Sequence, residues 1–297
     1  VGNSQATPLT ENQSLQLGLN RTDLLQWQTS RIAQARADLT QQETWINPEL
    51  ELSREELGHE TETGIWLRQR LDLAGRRAKQ QTAARASLNA RQFQISGSRI
   101  ERAAEIRHQF FESLFHQQQR DQLAHWVAKF TKVETAMGKR EAAGDVSGYD
   151  RRRISRERIS VLARQRESLA NYRSAWLQLS GLLGLTDAQG FDGLQGELMP
   201  GPLPPLAEIP AAMQTLPTLV HLQYQTEAKR QASAALARGH VPDLTLGLGH
   251  KRLDFAGGSD SGLMLSASLS LPLFDRRQGE YQRAQAEHRE LESEYRL

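Results

Sequence analysis

Strict two-residue alternation marks the segment from Gly262 to Phe274. Leu263, Leu265, Ala267, Leu269, Leu271 and Leu273 fall on one face, and Met264, Ser266, Ser268 and Ser270 on the other. Successive side chains of an extended chain point to opposite faces, so this period predicts a strand. Leu244, Leu246 and Leu248 alternate with Thr245, Gly247 and Gly249 and predict a second strand over Asp243–Lys251. Earlier in the chain, Ile65, Leu67, Leu71 and Leu73 alternate with Trp66, Arg68, Arg70 and Asp72, which predicts a strand over Ile65–Leu73 with Gln69 as one break. Glu49–Leu57 alternates poorly, because Arg54 and Glu56 follow Leu50 and Leu52 on the same face. A bulge, or an early exit from any bilayer, is expected there.

Around these segments the period becomes helical. Leu24, Leu25, Trp27, Ile32, Ala35 and Leu39 predict a helix over 15–45, closed by Pro48. From 75 to 140 there is no proline. Phe93, Ile100, Ala103, Phe110 and Leu114 form one stripe; after a polar stutter at 117–121, Leu123, Trp126, Phe130, Val133 and Met137 continue it. The 3,4 spacing predicts a coiled-coil seam. About 65 residues at ~1.5 Å rise give a helix of roughly 100 Å. No globular core is that wide, so this helix is expected to run along a bundle or tube. A turn over 142–150 follows, in which Gly144 supplies the left-handed stop and Asp145 or Ser147 the next cap. The returning helix, 149–183, carries Ile154, Val161, Leu169, Tyr172, Trp176, Leu179 and Leu183 on one stripe.

The order then begins again. Residues 184–210 form a Gly/Pro linker with Pro200, Pro202, Pro204 and Pro205, and Pro217 opens a helix to about 238. Strands over 243–251 and 262–274 follow, and a helix starts near 276. The phrase Asn47-Pro48-Glu49-Leu50 returns as Val241-Pro242-Asp243-Leu244, and Arg76-Arg77 returns as Arg276-Arg277. Such self-similarity describes a unit built once and reused. The first copy covers 1–183, with its strand pair in 47–74, and the second covers 211–297. By analogy with the first, about 85–90 further residues are expected to complete the second.

Composition agrees with exposed helices rather than a thick core. Apolar residues are 38% of the 297, against roughly 45–50% for soluble domains counted with glycine. The net charge of +2 gives no case for nucleic acid as a partner, and the absence of cysteine excludes disulfides and thiol chemistry. No apolar run reaches the length of a transmembrane helix, but a barrel strand needs only about 9–11 alternating residues. The polar start at Val1 lacks a basic and an apolar leader region; the expectation is an exported protein whose signal peptide has been removed.

Alternation alone also suits a half-buried sheet on a soluble core. Two features favour lipid. Four strands flanked by coiled-coil helices leave no further element to cover the leucines. The small polar residues opposite them suit a solvated lumen. A closed barrel is the only sheet a bilayer tolerates; four strands cannot close one, whereas three copies could. On that basis Leu263, Leu265, Leu269, Leu271, Ile65, Leu67, Leu71, Leu73, Leu244 and Leu246 are expected to face lipid. Arg68, Arg70, Asp72, Ser266, Ser268 and Ser270 are expected to face the lumen.

Element order over essentially the whole chain resembles the TolC-like outer-membrane efflux proteins. The phrases Asn47-Pro48-Glu49-Leu50, Ala143-Gly144-Asp145-Val146-Ser147, Leu179–Leu185 and Leu271–Gly279 carry the resemblance, which is closest to the cobalt–zinc–cadmium heavy-metal branch. The resemblance implies a mainly α fold with a membrane β part. It implies a homotrimer in which twelve strands form an outer-membrane barrel and the helices form a periplasmic tunnel. It further implies a passive exit duct, fed by a periplasmic adaptor and an inner-membrane pump, with heavy-metal cations as cargo. Gly144, Asp145, Val146, Ser147, Asp150 and Arg151 would then form the adaptor-contacting tip. A duct for drugs or secreted protein, and a soluble coiled-coil scaffold, remain alternatives.

No cofactor, resident metal or enzymatic activity is expected. His59, His108, His116, His125, His221, His240 and His250 are scattered, without ligand spacing. The acids Asp38, Glu43, Glu49, Glu51, Glu55 and Glu56 have no nucleophile beside them. The basic run Arg151–Arg158 reads as a solvated helix face or a salt-bridged adaptor contact.

Overall fold

A computed structural model describes residues 7–185, 191–199, 201 and 205–296. The elements run β1 (Leu9–Thr10), α1 (Glu11–Leu19), α2 (Thr22–Glu43), β2 (Glu49–Leu57), β3 (Glu60–Leu71), α3 (Arg76–Ala142), α4 (Gly148–Leu183), β4 (Leu194–Gln195), α5 (Ile209–Gln214), α6 (Pro217–Leu236), β5 (Asp243–Phe255), β6 (Gly258–Ser270) and α7 (Gln278–Arg296). They group into two compact units, one from residues 1–27 and 98–205 and the other from 28–97 and 206–297.

Several boundaries differ from the expectation, each for a local reason. The helix expected over 15–45 is two helices. α1 begins earlier, in a capping box between Thr10 and Gln13, and ends at Asn20 with φ −107° and ψ 18°. Arg21 occupies the break: its guanidinium donates to the carbonyls of Gly181 at 2.8 Å and Leu182 at 3.3 Å and pairs with Asp23 at 2.6 Å. The linker is not a bare spacer either. Leu194–Gln195 pairs in parallel with Leu9–Thr10, and 209–214 is helical. Pro200, Pro202 and Pro204 lie outside the described residues.

In the first unit one core forms where α1, α3, α4 and the linker meet. Leu9, Ile106, Phe110, Leu114, Leu179, Leu183 and Leu194 fill it. Burial along α3 follows Ile106, Phe110 and Leu114 at four-residue steps, whereas Ile100, expected on the seam, is 53% exposed. Trp126 and Val133, further along the expected seam, are also exposed. Gln109, Ser113 and Ser168 are buried but satisfied: Ser113 donates to the Gln109 carbonyl at 2.7 Å and Gln109 to the Ala175 carbonyl at 3.4 Å.

The second unit packs its helices through alanine. Ala83, Ala86 and Ala90 of α3, Ala228 and Ala235 of α6 and Ala284 of α7 are buried. Small side chains let helix backbones approach closely. His221 accordingly reaches the Ala90 carbonyl at 2.8 Å, and Phe93 stacks on Tyr224 with ring centroids 5.6 Å apart. α6 and α7 are further joined by Lys229 and Glu287 at 2.5 Å.

All four long strands form one antiparallel sheet in the order β2-β3-β5-β6. Both hairpins are tighter than expected. Leu57 pairs with Glu60 across Gly58-His59, and Phe255 with Gly258 across Ala256-Gly257. Two-residue links match the twist of the strands they join, so the strands extend into what reads as loop. The bulge expected in Glu49–Leu57 is absent, since pairing runs without interruption from Glu49↔Arg68 to Leu57↔Glu60. Arg54 and Glu56 satisfy each other instead, with Nε donating to the carboxylate at 3.0 Å. The last strand lies over 258–270 rather than 262–274. Its ladder stops at Asp243↔Ser270 because the preceding Pro242 has no N–H to donate.

Candidate membrane face and docking tip

Register turns four separate alternations into one surface. Leu50, Leu67, Leu248 and Leu265 form a row across the sheet, flanked by Leu52, Ile65, His250 and Leu263 on one side. On the other side lie Gln69, Leu246 and Ala267, then Leu71, Leu244 and Leu269. The leucines of β6 are open, Leu263 at 80% and Leu265 at 85% exposure; Ile65, Leu67, Leu246, Leu248 and Leu269 are exposed and Leu71 and Leu244 half-buried. Leu73 and Leu271 lie just past the paired strands, exposed. The apolar band has a sharp end. On the same face the next rows are Arg54, Thr63, Arg252 and Ser261, then Glu56, Thr61, Asp254 and Ser259. Arg252 and Asp254 pair at 3.0 Å, as Arg54 and Glu56 do.

The opposite face is polar and crossed by ion pairs. Arg68 pairs with Glu51, Lys251 with Glu62 at 2.5 Å, and Asp243 with both Arg70 and Arg76. Ser266 is half-buried and Ser268 and Ser270 exposed on this face. Asp72 closes the sheet onto α3 by accepting the Arg77 N–H at 2.7 Å. Trp66 lies flat over Gly249, where a Cβ would meet its ring at 2.5 Å, and the Arg68 guanidinium sits 5.6 Å from the ring centre. Only glycine allows that approach. The signal for it, an aromatic residue opposite a glycine, is present in the sequence but needs the register to be recognised.

At the far end of α3 the chain reverses between Ala142 and Gly148. Gly144 adopts φ +82°, a left-handed conformation that other residues rarely hold. The N–H of Asp145 donates to the Arg140 carbonyl at 2.9 Å, closing the helix end. Ser147 caps α4: its Oγ accepts the Asp150 N–H at 3.2 Å and donates to the Asp150 carboxylate at 2.7 Å. Gly144, Asp145, Ser147, Asp150 and Arg151 are exposed, and Val146 is half-buried. Two ion pairs lock the hairpin, Glu141 with Arg151 at 2.8 Å and Glu134 with Arg158 at 2.5 Å. Hydrogen bonding from Ser155, then the guanidinium of Arg158, holds the Glu134 carboxyl below the usual glutamate range. Glu141 correspondingly raises Arg151. Two arginines of the basic run are therefore committed to their own hairpin.

The remaining candidates come apart in three dimensions. His221 and His240 contact backbone carbonyls, and His108 sits 3.9 Å from Glu112. Among the described residues no three His, Cys, Asp or Glu side chains converge as metal ligands, and no helix is long and apolar enough to cross a membrane. Glu43 pairs with Arg85 at 2.9 Å rather than with another acid.

No protein-family model matches the chain. It is similar to the cobalt-zinc-cadmium resistance protein CzcC of Cupriavidus metallidurans, 27% identical over 293 residues, which is 98% of this chain and 69% of that protein. A membrane protein from Pseudomonas aeruginosa superimposes with a TM-score of 0.76 at 19% identity, covering 96% of this chain and 72% of the other. CusC, a protein that forms a transmembrane channel, gives 0.74 at 15% identity over 96% and 71%. The CmeC outer membrane channel of Campylobacter jejuni gives 0.75 at 13% identity over 96% and 66%. The resemblance to TolC-like outer-membrane efflux proteins thus holds in sequence through CzcC and in fold through the channels.

Proposed function

We propose that this chain is a protomer of the outer-membrane exit duct of a tripartite efflux system. The observation that carries the reading is the apolar band: leucine-rich rows across four strands, largely exposed, backed by a polar face crossed by ion pairs. Lipid is the partner that stabilises such a face, since the side chains gain nothing from water. A bilayer requires the sheet to close, so three copies supply twelve strands to one barrel. Leu263, Leu265, Leu269, Leu271, Ile65, Leu67, Leu71, Leu73, Leu244 and Leu246 face lipid in this arrangement. Arg68, Arg70, Asp72, Ser266, Ser268 and Ser270 line the lumen.

The helices then extend into the periplasm, the protein having been exported with a signal peptide. The turn at Gly144, Asp145, Val146, Ser147, Asp150 and Arg151 meets a periplasmic adaptor, which connects to an inner-membrane pump. Transport through the duct is passive, because the described residues offer no nucleotide loop or proton relay; the energy comes from the pump. Likeness to a cobalt-zinc-cadmium resistance protein favours heavy-metal cations as cargo. The cation crosses a wide, polar-walled passage as substrate, without resident ligands.

Fractionation and deletion test the proposal together. The full-length protein should partition with the outer membrane and require detergent. Loss of its gene, with the pump retained and no paralogue present, should raise sensitivity to cobalt, zinc or cadmium. A freely soluble protein would leave the coiled-coil scaffold as the better reading. Drug sensitivity without metal sensitivity would identify a drug duct.

A further inference from the structure

Its duplicated phrase has unequal partners in the two copies. In the second copy, Asp243 of Val241-Pro242-Asp243-Leu244 opens β5, and its carboxylate, 13% exposed, accepts from the guanidinium groups of Arg70 and Arg76. Arg76 is the first residue of α3, so an acid following a proline is tied to the arginine that opens the long helix. In the first copy Glu49 of Asn47-Pro48-Glu49-Leu50 takes the place of that acid, on the same polar face of the sheet. After the last strand, Asp275-Arg276-Arg277 repeats the position of Gly75-Arg76-Arg77. Glu49 and Arg276 are both exposed, and among the described residues no ion pair engages either side chain. They belong to β2 and to the segment leaving β6, the two edges of the sheet.

We propose that Glu49 of one copy pairs with Arg276 of a second copy, reproducing between chains the link that Asp243 and Arg76 make within one. The inference rests on the reading of this chain as a protomer of a closed barrel. Closure requires stagger along the strands. The leucine face permits only an even-numbered slip, since a one-residue slip would turn every leucine inward. A slip toward the helix end gives neighbours to Leu271 and Leu273, which continue the alternation beyond Ser270, where β5 no longer accompanies β6. The opposite slip would set Leu50 and Leu52 against the polar hairpin end near Ser259 and leave those leucines alone. With the favoured slip, Glu49 lies level with 270–274, immediately before Arg276.

The 297 residues contain no cysteine of their own, and the single variants control for any elsewhere. In the full-length protein in membranes, the E49C/R276C double variant should give disulfide-linked dimers and trimers on a non-reducing gel. E49C alone, R276C alone and E60C/R276C, whose first cysteine sits at the hairpin end, should not. Within one chain the two sites are separated by three interstrand spacings of about 4.8 Å, too far for a bond that needs Cα atoms within about 7 Å. Independently, E49R and R276E should each lower the temperature at which the oligomer dissociates, and E49R/R276E should restore it. An oligomer that is intact by light scattering, yet neither cross-links nor shows rescue, overturns this pairing and leaves the duct reading standing. A wild-type protein that is monomeric after detergent extraction overturns both.

Discussion

The chain treats leucine in two opposite ways. In the first unit Leu179 and Leu183 are shut into the core around Phe110, at 0% and 3% exposure. In the second, equally regular leucines of β6 stand almost entirely open. Both sets come from strong periodic patterns, and both lie on regular elements. What differs is how many sides the fold closes. Three helical segments and the Leu194 strand surround Phe110, so every direction offers a packing partner. The sheet settles its polar face with ion pairs and offers nothing on the other. Leucine-rich rows exposed on a regular sheet therefore mark a surface suited to an apolar partner.

Phe110 gives the largest test of that contrast. It is fully buried, so Phe110→Ala should cost about 3–5 kcal/mol through lost transfer energy and a residual cavity. Denaturant titration of the helical signal in detergent would measure it. A cost below about 1 kcal/mol would mean that the cluster is not the core it resembles. Next comes Leu265, whose effect should depend on the medium. In lipid, Leu265→Arg should cost about 2–4 kcal/mol if the side chain sits near the midplane, read from unfolding in liposomes. At a water-exposed site the same change would fall within about 0.5 kcal/mol. Equal, negligible effects in both media would remove the lipid assignment and favour the scaffold.

The same contrast explains what the sequence disclosed. Strand alternation, the long helix, the reversing turn with its Gly144 stop and Ser147 cap, and the repeated order were legible because each is a local period or a local dihedral requirement. The break at Asn20-Arg21 was not, since it depends on Arg21 reaching carbonyls 160 residues away. Nor was the end of β6, which is decided by the proline before its partner strand. The seam was half legible: the stripe through Phe110 and Leu114 packs, but Ile100 stays about half exposed. Some long-range information was present yet unused. Glu134 and Glu141 are seven residues apart, as are Arg151 and Arg158, and they mirror each other about Val146. Antiparallel reversal at the turn brings 134 to 158 and 141 to 151, which are the two observed ion pairs. The basic run read alone suits a solvated helix face or an adaptor contact, whereas read against the acids two of its arginines are half of a zipper.

Ser147 sharpens the comparison at smaller scale, because the tip has no core and relies on local bonds. Ser147→Ala removes the cap of α4 and should destabilise the hairpin by about 1 kcal/mol. Amide exchange at 148–152 would report it. Unchanged protection there would show that the two ion pairs alone define the turn.

The smallest effect concerns Glu134 and has a definite sign. Hydrogen bonding from Ser155, then Arg158, lowers its carboxyl pKa in the folded hairpin. In the unfolded chain it titrates in the ordinary glutamate range. A depressed folded value means that the folded state binds the proton less readily than the unfolded state. The resulting stability is therefore fully present above the ordinary range and is lost as pH falls through the depressed value. Glu134→Gln cannot titrate, so its thermal midpoint should lie below that of the parent at neutral pH. The gap should narrow through the acid range and close once the parent carboxyl is protonated. The change is small because solvent screens a pair at the surface of a two-helix hairpin. A gap independent of pH would show that Glu134 acts through packing. The tip would then depend, like Phe110, on enclosure rather than on paired charge.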